Sequence, residues 1–239
     1  MPDPIAFPFY PARPTNGGAF PRALPKSGHW AYEPKINGWR ALVHMPTGTM
    51  FNRHGERLSI AHEFGPVLDL IRQAWAHPKK LLALSRLGEW LDCEALSRRH
   101  PLGRGSLVLL DAPQSPGDYS TRQQAMFDAL GFFSPGGGVV TSWACSLFPP
   151  AANALLSIAY HYLTEPTQLA YTTSVGEDGT VDPDLFPLSG WSRLQAANQR
   201  LGHEVFEGFV AKRLDSAYPL QLRSADLEFP YWIKHRWAF

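Results

Sequence analysis

The sequence predicts an α+β fold with largely antiparallel sheets flanked by helices. Strand-like and helix-like segments follow one another without the strict alternation that a doubly wound parallel sheet requires. Turn signals are short and frequent after residue 28, which is typical of strands joined by hairpins. At 239 residues the chain can bury a full hydrophobic core. We therefore expect one domain, with two lobes around a cleft.

The predicted strands are short apolar and aromatic runs between turn residues. Residues 1–28 are rich in proline and glycine and predict an irregular arm that packs through its aromatic side chains. After this arm, Asn37-Gly38 and Pro46-Thr47-Gly48 predict the first two turns. The predicted strands are Trp30–Pro34, Arg40–Met45, Thr49–Arg53, Glu89–Glu94, Ser106–Leu110, Val139–Trp143, Phe206–Ala211 and Tyr231–Lys234.

Four segments predict helices. Phe64–Ala76 carries its apolar side chains at helical spacing. Thr121–Leu130 begins at a Ser/Thr cap, and Trp191–Leu201 is followed by Gly202, where a C-cap would lie. Asn153–Leu163 is the fourth segment. The predicted surface loops are Ser134–Gly138 and residues 172–190.

Composition excludes several classes of protein. The hydrophobic fraction of 44%, the charged fraction of 18% and the net charge of +1 are ordinary for a globular protein. No segment approaches the roughly 18 consecutive apolar residues that a membrane span needs, and the N-terminus lacks the features of a signal peptide. Cys93 and Cys145 cannot form a disulfide framework or a Cys-x-x-Cys zinc site. We therefore expect a cytoplasmic protein with no membrane partner.

Lys35 lies just beyond the first predicted strand, beside the Asn37-Gly38 turn and five residues before Arg40. A lysine with the usual pKa of about 10.4 is protonated and is a poor nucleophile at neutral pH. Neighbouring cations and desolvation lower that pKa, and a neutral amine can attack a carbonyl carbon or a phosphorus atom. Taken alone, this Lys-x-Asn-Gly-x-Arg pattern is most often a hairpin turn with solvated charges.

Six short elements, including this one, resemble the motifs of one enzyme family. Lys35–Arg40 (KINGWR) resembles the KxDGxR signature, and Glu207–Lys212 (EGFVAK) matches the EGxVxK element. The other four are Phe51–Gly55 against SRxG, Leu91–Glu94 against DGE, Leu107–Asp111 against FDhh and Trp232–Arg236 against the terminal KxK. The chain thus resembles the nucleotidyltransferase (adenylation) domain of ATP-dependent DNA and RNA ligases, in the covalent nucleotidyltransferase superfamily that includes mRNA capping enzymes. The six elements follow the family's order from about Trp30 to Arg236.

The resemblance implies a ligase-type nucleotidyltransferase domain with antiparallel sheets around a nucleotide cleft. Lys35 would take AMP from ATP as a covalent lysyl adenylate and pass it to the 5′-phosphate end of a nicked or broken nucleic acid. Lys234 would act with Lys35 in catalysis, and Glu207 would hold Mg²⁺ or Mn²⁺. The implied nucleotide-binding residues are Glu33, Lys35, Arg40, Arg53, Glu94, Leu110, Lys212, Lys234 and Arg236.

The same resemblance implies a role for each of several side chains. Glu33 lies where family members contact the purine edge, and Glu94 would accept hydrogen bonds from the ribose hydroxyls. Arg40 and Arg53 would bind phosphate or ribose oxygens, for which a planar guanidinium is suited. Lys234, together with Arg236 and Lys212, would contact the phosphate or the nucleotide.

The chain departs from the family pattern at three positions. Asn37 stands where the family has Asp, and the lost negative charge affects sealing more than adenylation. Cys93 replaces a glycine. Leu110 stands where an aromatic side chain usually stacks on the base, so we expect base binding to depend on one stacking face or on another aromatic, such as Trp30 or Phe209.

No OB-fold follows the terminal basic element in this sequence. We therefore expect an arm over residues 1–28, an adenylation domain over residues 29–239 and no OB-fold domain. Either the enzyme is a minimal standalone form, or a partner protein supplies the missing function, or the protein binds nucleotide without sealing ends. The similarity to bacterial DNA ligases favours DNA as the acceptor. The alternatives are RNA ligation, guanylyl transfer and a non-catalytic nucleotide- or nucleic-acid-binding role.

Overall fold

Two β-sheets and the helices beside them form the part of the chain that the structure describes. The structure is a computed structural model, and it describes residues 7–18, 20, 24–25, 27–97, 104–130, 145–147 and 188–237. The strands are β1 (Arg13–Asn16), β2 (Trp30–Ile36), β3 (Trp39–His44), β4 (Thr49–Phe51), β5 (Trp90–Leu96), β6 (Ser106–Asp111), β7 (Cys145–Leu147), β8 (Phe206–Arg213) and β9 (Glu228–Arg236). The α-helices of these residues are α1 (Gly65–Ala76), α2 (Pro78–Leu84), α3 (Tyr119–Leu130) and α4 (Leu188–Leu201).

The pairing of the strands is almost entirely antiparallel. The first sheet has the strand order β1-β9-β8-β2, and the second has the order β4-β3-β5-β6-β7. Every neighbouring pair is antiparallel except β1 and β9, which run parallel. The predicted α+β class with largely antiparallel sheets is therefore confirmed.

Helices cover the apolar faces of the two sheets. Val67 and Ile71 of α1 are fully buried in one cluster with Val43 and Leu91 of the second sheet. Leu194 of α4 is buried in a separate cluster with side chains of the first sheet. Each such aliphatic side chain stabilises the fold by about 1.5–3 kcal/mol when it leaves water. Within the described residues, no helix is long and apolar enough to cross a membrane.

The two sheets meet at the Asn37-Gly38 turn. Strand β2 belongs to the first sheet and β3 to the second, and only these two residues connect them. The Asn37 backbone N–H donates to the Val205 carbonyl oxygen at 2.9 Å, which ties the turn to the segment before β8. Side chains at the end of β2 and the start of β3 therefore lie at the junction of the sheets.

Part of the N-terminal arm is a strand, which corrects the prediction that residues 1–28 are irregular. Strand β1 pairs with β9, and the Thr15 hydroxyl donates to the Trp232 carbonyl oxygen at 3.0 Å. The prediction failed because the pairing partner is far away in the sequence, so no local pattern marks this strand. Packing of the arm through aromatic side chains is confirmed, since Phe20 stacks on Trp191 with ring centres 3.9 Å apart.

Other boundaries also differ from those expected. Helix α2 was not predicted; Pro78 occupies its first turn, where proline is tolerated. Strand β9 extends on both sides of Tyr231–Lys234, and Pro230 lies before the part that pairs with β8. Helix α4 begins at Leu188, inside the stretch 172–190 predicted as a loop. The predicted elements that lie outside the described residues are Val139–Trp143, Asn153–Leu163, Ser134–Gly138 and most of residues 172–190.

Candidate active site

A cleft of about 510 Å³ opens at the junction of the two sheets. All the residues predicted to bind nucleotide or metal line it, namely Glu33, Lys35, Arg40, Arg53, Glu94, Leu110, Glu207, Lys212, Lys234 and Arg236. They come from strands β2, β3, β5, β6, β8 and β9 and from the segment after β4. The fold therefore gathers this whole set on one surface.

The cleft is strongly basic although the chain as a whole is nearly neutral. Seven cationic side chains and three carboxylates line it, whereas the net charge of the chain is +1. The cations are Arg13, Lys35, Arg40, Arg53, Lys212, Lys234 and Arg236, and the carboxylates are Glu33, Glu94 and Glu207. An excess of cations in a concave site attracts anions, and phosphate oxygens are preferred partners of Lys and Arg. The cleft is therefore suited to a phosphorylated ligand.

Lys35 on β2 forms an ion pair with Glu207 on β8. The side chains of Lys35 and Glu207 are only 16% and 10% exposed. Arg236 on β9 contacts the same carboxylate, with its Nε 3.3 Å from Glu207 Oε2. Lys35 therefore shares its carboxylate partner with a second cation.

The glycine after Glu207 lets β8 approach β9 closely. Gly208 has φ of +134° and pairs with Arg236. A Cβ at this position would lie 1.9 Å from the carbonyl oxygen of His235. Glycine is the residue that combines this backbone conformation with this close approach. Gly208 therefore sets the separation of the strands that carry Glu207 and Arg236.

Glu94 on β5 is held by the turn that follows Lys35. Its Oε1 accepts a hydrogen bond from the Gly38 backbone N–H at 3.0 Å. A Cβ on Gly38 would lie 2.8 Å from both Glu94 Cγ and the Ala95 carbonyl oxygen, so the contact needs glycine. Burial raises the pKa of Glu94 to about 7, while the charges of Lys35 and Arg40 oppose that shift.

Replacing Glu94 by glutamine is expected to remove part of the pH dependence of stability. The pKa of Glu94 rises from its ordinary value of 4.5 to about 7 on folding, so the folded state holds this proton more tightly. The stability that this group contributes is present in full below about pH 4.5 and is lost as the pH rises to about 7. In urea denaturation, we expect Glu94→Gln to gain on the order of 2 kcal/mol relative to wild type between these two pH values.

The matched control for this prediction is Glu204→Gln, which changes an exposed glutamate. Its free energy of unfolding should follow the wild-type pH dependence. A difference between Glu94→Gln and wild type that stays constant across the pH range would contradict the raised pKa.

Glu33 lies at the base of the cleft in a buried network. Its Oε2 is 2.9 Å from the Lys212 Nζ, and its Oε1 accepts a hydrogen bond from the Tyr119 hydroxyl. Lys212 also donates to the Leu110 carbonyl oxygen at 2.6 Å and lies 4.2 Å from the centre of the Trp232 ring. Burial raises the pKa of Glu33 to about 7, and Lys212 opposes this shift. Glu33 is 2% exposed, so this network fixes the orientation of the carboxylate that the resemblance assigns to the purine edge.

The guanidinium group of Arg40 binds a buried carboxylate. Its Nε and Nη2 donate to the two carboxylate oxygens of Asp92, which is fully buried. Nη2 also donates to the Ala12 carbonyl oxygen at 3.0 Å, and the Tyr218 hydroxyl donates to Asp92 Oδ2 at 2.7 Å. Burial disfavours the charged guanidinium, but Asp92 more than offsets this and raises the pKa of Arg40. The predicted contact of Arg40 with phosphate or ribose would therefore fall to its remaining nitrogen, Nη1.

Lys234 and Arg53 line the cleft without forming an ion pair with any described residue. Burial lowers the pKa of Lys234, and the charges of Arg13, Arg236 and Lys35 lower it further. A bound anion would relieve the repulsion among these cations. The part of the cleft around Lys234 is therefore suited to phosphate groups.

The aromatic side chains of the cleft are not those expected. Trp30 and Phe209 are 7% and 0% exposed, belong to the hydrophobic core and do not line the cleft. The expectation that one of them stacks on a base is wrong. Trp30 is the first residue of β2, and Phe209 points to the opposite face of β8 from its cleft-lining neighbour Val210. Trp39 and Trp232 line the cleft instead.

Asn37 and Cys93, the other two departures from the family pattern, each have contacts that explain the residue present. The Asn37 side-chain nitrogen donates to the Glu204 carbonyl oxygen at 3.2 Å, a bond that an ionised Asp could not form. Cys93 is fully buried in the hydrophobic core of the second sheet. Its side chain fills core volume rather than cleft volume.

The donor set of the cleft fits a magnesium ion that arrives with a phosphorylated ligand. No group of three or more His, Cys, Asp or Glu side chains that could hold a metal ion occurs among the described residues. Mg²⁺ keeps several waters and is bound through one or two carboxylates plus substrate phosphates. Glu207 and Glu94 line the same cleft and are close enough for their charges to interact. Glu207, which contacts Lys35, is the side chain that would hold the ion, and Glu94 stays available to the ribose.

Solved structures similar to this chain cover nearly its whole length. The ligase domain of LigD from M. tuberculosis has a TM-score of 0.42 and 18% identity, over 97% of this chain and 61% of that chain. Mycobacterial DNA ligase D complexed with ATP and MES has a TM-score of 0.38 and 17% identity, over 98% of this chain and 62% of that chain. A structure described as Pmar-Lig_Pre has a TM-score of 0.42 and 17% identity, over 97% of this chain and 47% of that chain.

No protein-family model matches the chain, and no curated protein matches it by sequence. The chain spans about three fifths of the length of the first two similar structures and about half of the third. The function is therefore best indicated by the charges and contacts of the residues that line the cleft.

Proposed function

We propose that this chain is a covalent nucleotidyltransferase of the ATP-dependent ligase type, with Lys35 as its nucleophile. The observation that carries the proposal is the position of Lys35, in contact with Glu207 and beside Arg236 in a basic cleft. Attack of a lysine on phosphorus needs an amine that can lose its proton and cations that stabilise the charge gained by phosphorus. This one cleft supplies both. We place the catalytic domain at residues 29–239, with the N-terminal strand β1 added to its first sheet.

The first step is the transfer of AMP to Lys35. The Lys35 ammonium loses a proton to water, and the neutral amine attacks the α-phosphorus of ATP. A P–N bond forms, and the bond from the α-phosphorus to the bridging oxygen breaks, so pyrophosphate leaves with the electron pair. The nitrogen then loses a second proton to solvent, which gives the phosphoramidate. Lys234 and Arg236 stabilise the negative charge that builds up on the phosphoryl oxygens. Mg²⁺ or Mn²⁺, when bound at Glu207, supplies further positive charge there.

The remaining cleft residues orient the nucleotide. Glu33 and Lys212 lie together at the base of the cleft and face the purine, and Glu94 accepts hydrogen bonds from the ribose. Leu110 contributes an apolar contact in place of an aromatic ring. Arg53, at the exposed edge, binds phosphate oxygens.

In the second step AMP passes from Lys35 to the 5′-phosphate of a nicked or broken polynucleotide. The P–N bond breaks, the Lys35 nitrogen takes the electron pair and protons from solvent, and a pyrophosphate linkage forms between AMP and the 5′-phosphate. A 3′-hydroxyl then attacks that 5′-phosphorus, loses its proton to solvent and displaces AMP, which seals the strand. We propose DNA as the acceptor. We also propose that a partner protein supplies further contacts with the duplex. RNA ligation, guanylyl transfer and a non-catalytic binding role are the other outcomes that the experiment distinguishes.

Intact-mass spectrometry with a panel of nucleotides tests the proposal. The protein is incubated with Mg²⁺ and ATP, GTP or NAD⁺ in turn, and its mass is compared with that of untreated protein. An AMP adduct from ATP alone is the expected result, and a GMP adduct would identify a guanylyltransferase. Nicked DNA and nicked RNA duplexes then identify the acceptor. No adduct in any condition, from protein that is unmodified at the start, would reject covalent transfer in favour of a binding role.

A further inference from the structure

Arg13 is a cation of the cleft that lies outside the ligase-like motifs. It is on β1, before the stretch from Trp30 to Arg236 that carries the resemblance, yet it lines the same cleft as Lys234. Strand β1 runs parallel to β9, the strand of Lys234 and Arg236. In the register of this pair Arg13 lies opposite Glu228 and Asn16 opposite Lys234. Arg13, Lys234 and Arg236 all line the cleft, and the charges of Arg13 and Arg236 both act on Lys234.

The backbone next to Arg13 is anchored from both sides. The Ala12 backbone N–H donates to the Tyr218 hydroxyl oxygen, and the Ala12 carbonyl oxygen accepts from the Arg40 Nη2, both at 3.0 Å. Arg40 and Tyr218 are in turn held by the buried carboxylate of Asp92. Ala12 is fully buried. Arg13 is thus presented at the cleft by a fixed segment rather than by a loose arm.

The cations at this side of the cleft exceed the carboxylates that face them. Among the described residues, Arg13 has one acidic partner, Asp226, at 3.7 Å, and the Asp226 side chain is 76% exposed. Lys234 forms no ion pair with a described residue; the charge of Glu228 acts on it, but Glu228 is exposed and does not line the cleft. Arg236 shares Glu207 with the nucleophile. Burial lowers the pKa of Lys234, and the charge of Arg13 is the next largest cause. A single phosphate group bound at Lys35 would leave the positive charge near Arg13 uncompensated. A polyphosphate is longer and would bring negative charge to both Lys35 and Arg13.

We propose, on the basis of the nucleotidyl transfer proposed above, that Arg13 forms the subsite for the leaving group, next to Lys234 at the transferred phosphoryl group. Its ligands are the β- and γ-phosphates of the nucleotide before transfer and free pyrophosphate after it. A guanidinium binds two phosphate oxygens at once, which suits a doubly charged leaving group. Arg13 acts through charge and hydrogen bonds and forms no covalent bond.

The reverse reaction isolates this subsite. A pyrophosphate oxygen attacks the phosphorus of the lysyl adenylate, a P–O bond forms and the P–N bond breaks. Lys35 takes the electron pair and then a proton from solvent, and ATP is released. The base and ribose are already bound in the adenylate, so the concentration of pyrophosphate needed reports on the leaving-group subsite alone.

The experiment uses pyrophosphate as the probe. Wild type and Arg13→Ala are adenylated with ATP and Mg²⁺, freed of nucleotide and mixed with increasing pyrophosphate, and the loss of the adduct is followed by intact mass. We expect half-saturation to need about tenfold more pyrophosphate in Arg13→Ala, with a similar rise in the KM for ATP. Arg13→Lys keeps a point charge and should lie within about threefold of wild type. Arg72→Ala, which removes an exposed arginine of α1, should match wild type.

The possible outcomes show whether the proposed subsite or the proposed function has failed. Equal half-saturating pyrophosphate in wild type, Arg13→Ala and Arg13→Lys would overturn the role of Arg13 and leave covalent transfer intact. A wild-type protein that forms no adduct would overturn the proposed function, and titration calorimetry with pyrophosphate would then test the subsite directly. In that titration, equal affinity of wild type and Arg13→Ala would overturn it, and an affinity about tenfold weaker in Arg13→Ala would support it.

Discussion

Replacing Lys35 by alanine is expected to abolish covalent uptake of nucleotide. Loss of the nucleophile that forms a covalent intermediate should lower the rate of adduct formation by about a thousandfold or more. The fold should survive, because Glu207 keeps Arg236 as an ion-pair partner at 3.3 Å. Intact mass after incubation with ATP and Mg²⁺ measures the adduct directly.

Two further variants distinguish the nucleophilicity of the Lys35 amine from the effect of its positive charge. Lys35→Arg keeps a cation beside Glu207 but offers a guanidinium, which is not a nucleophile at neutral pH, so we expect no adduct. Lys79→Ala removes an exposed lysine of α2 and should form the adduct at the wild-type rate. If Lys35→Arg were adenylated as fast as wild type, the nucleophile would have to be another residue.

Gly208→Ala is expected to lower the free energy of unfolding by about 3–5 kcal/mol. At φ of +134° an alanine is strained whatever space surrounds it. The added Cβ would lie 1.9 Å from the His235 carbonyl oxygen, a backbone atom of the paired strand that cannot rotate away. Strands β8 and β9 would have to separate, which would also move Glu207 from Arg236. Urea denaturation followed by circular dichroism measures the loss.

Gly65→Ala is the matched control for this prediction. Gly65 begins α1, and apart from its chain neighbours and its own helix backbone no atom lies within 4 Å of the position that its Cβ would take. The free energy of unfolding of this variant should lie within about 1 kcal/mol of wild type, because the better helix propensity of alanine offsets the crowding of its Cβ by Pro66. Equal stability of Gly208→Ala and Gly65→Ala would show that β8 and β9 are not packed as tightly as described.

The sequence was informative where the determining interactions are local. Helix α1 was predictable because Val67 and Ile71 repeat at the helical period and face one core. The hairpin between β3 and β4 was predictable because proline and glycine mark its turn. The cleft residues could be named in advance because each lies in a short element with a recognisable pattern, and the fold brings all of these elements to one place.

The buried partners of the cleft residues were not predictable. Tyr119 binds Glu33, and Tyr218 and Arg40 both bind Asp92, but each pair is joined only by the tertiary fold. The residues next to such a tyrosine or aspartate in the sequence do not indicate that its side chain binds a residue of the cleft. Strand β1, and with it the place of Arg13 in the cleft, depends in the same way on a distant partner.

The aromatic residues of the cleft were misassigned for a different physical reason. Neighbouring residues of a strand point to opposite faces, so a choice between them needs the register of the sheet. Gly208 adopts a left-handed conformation within β8, and Phe209 after it faces the core. Trp232 reaches the cleft because β9 pairs with β8 in the register that sets it opposite Lys212. None of these pairings can be read from either strand alone.

Locating the nucleotide on the chain tests the central claim most directly. Wild-type protein is incubated with ATP and Mg²⁺, digested at alkaline pH, where a phosphoramidate is stable, and its peptides are analysed by mass spectrometry. We expect one peptide to carry AMP, the one that contains Lys35, and acid treatment to release the nucleotide from it. AMP on a different peptide, such as one containing Lys212 or Lys234, or on no peptide at all, would contradict the assignment of Lys35 as the nucleophile.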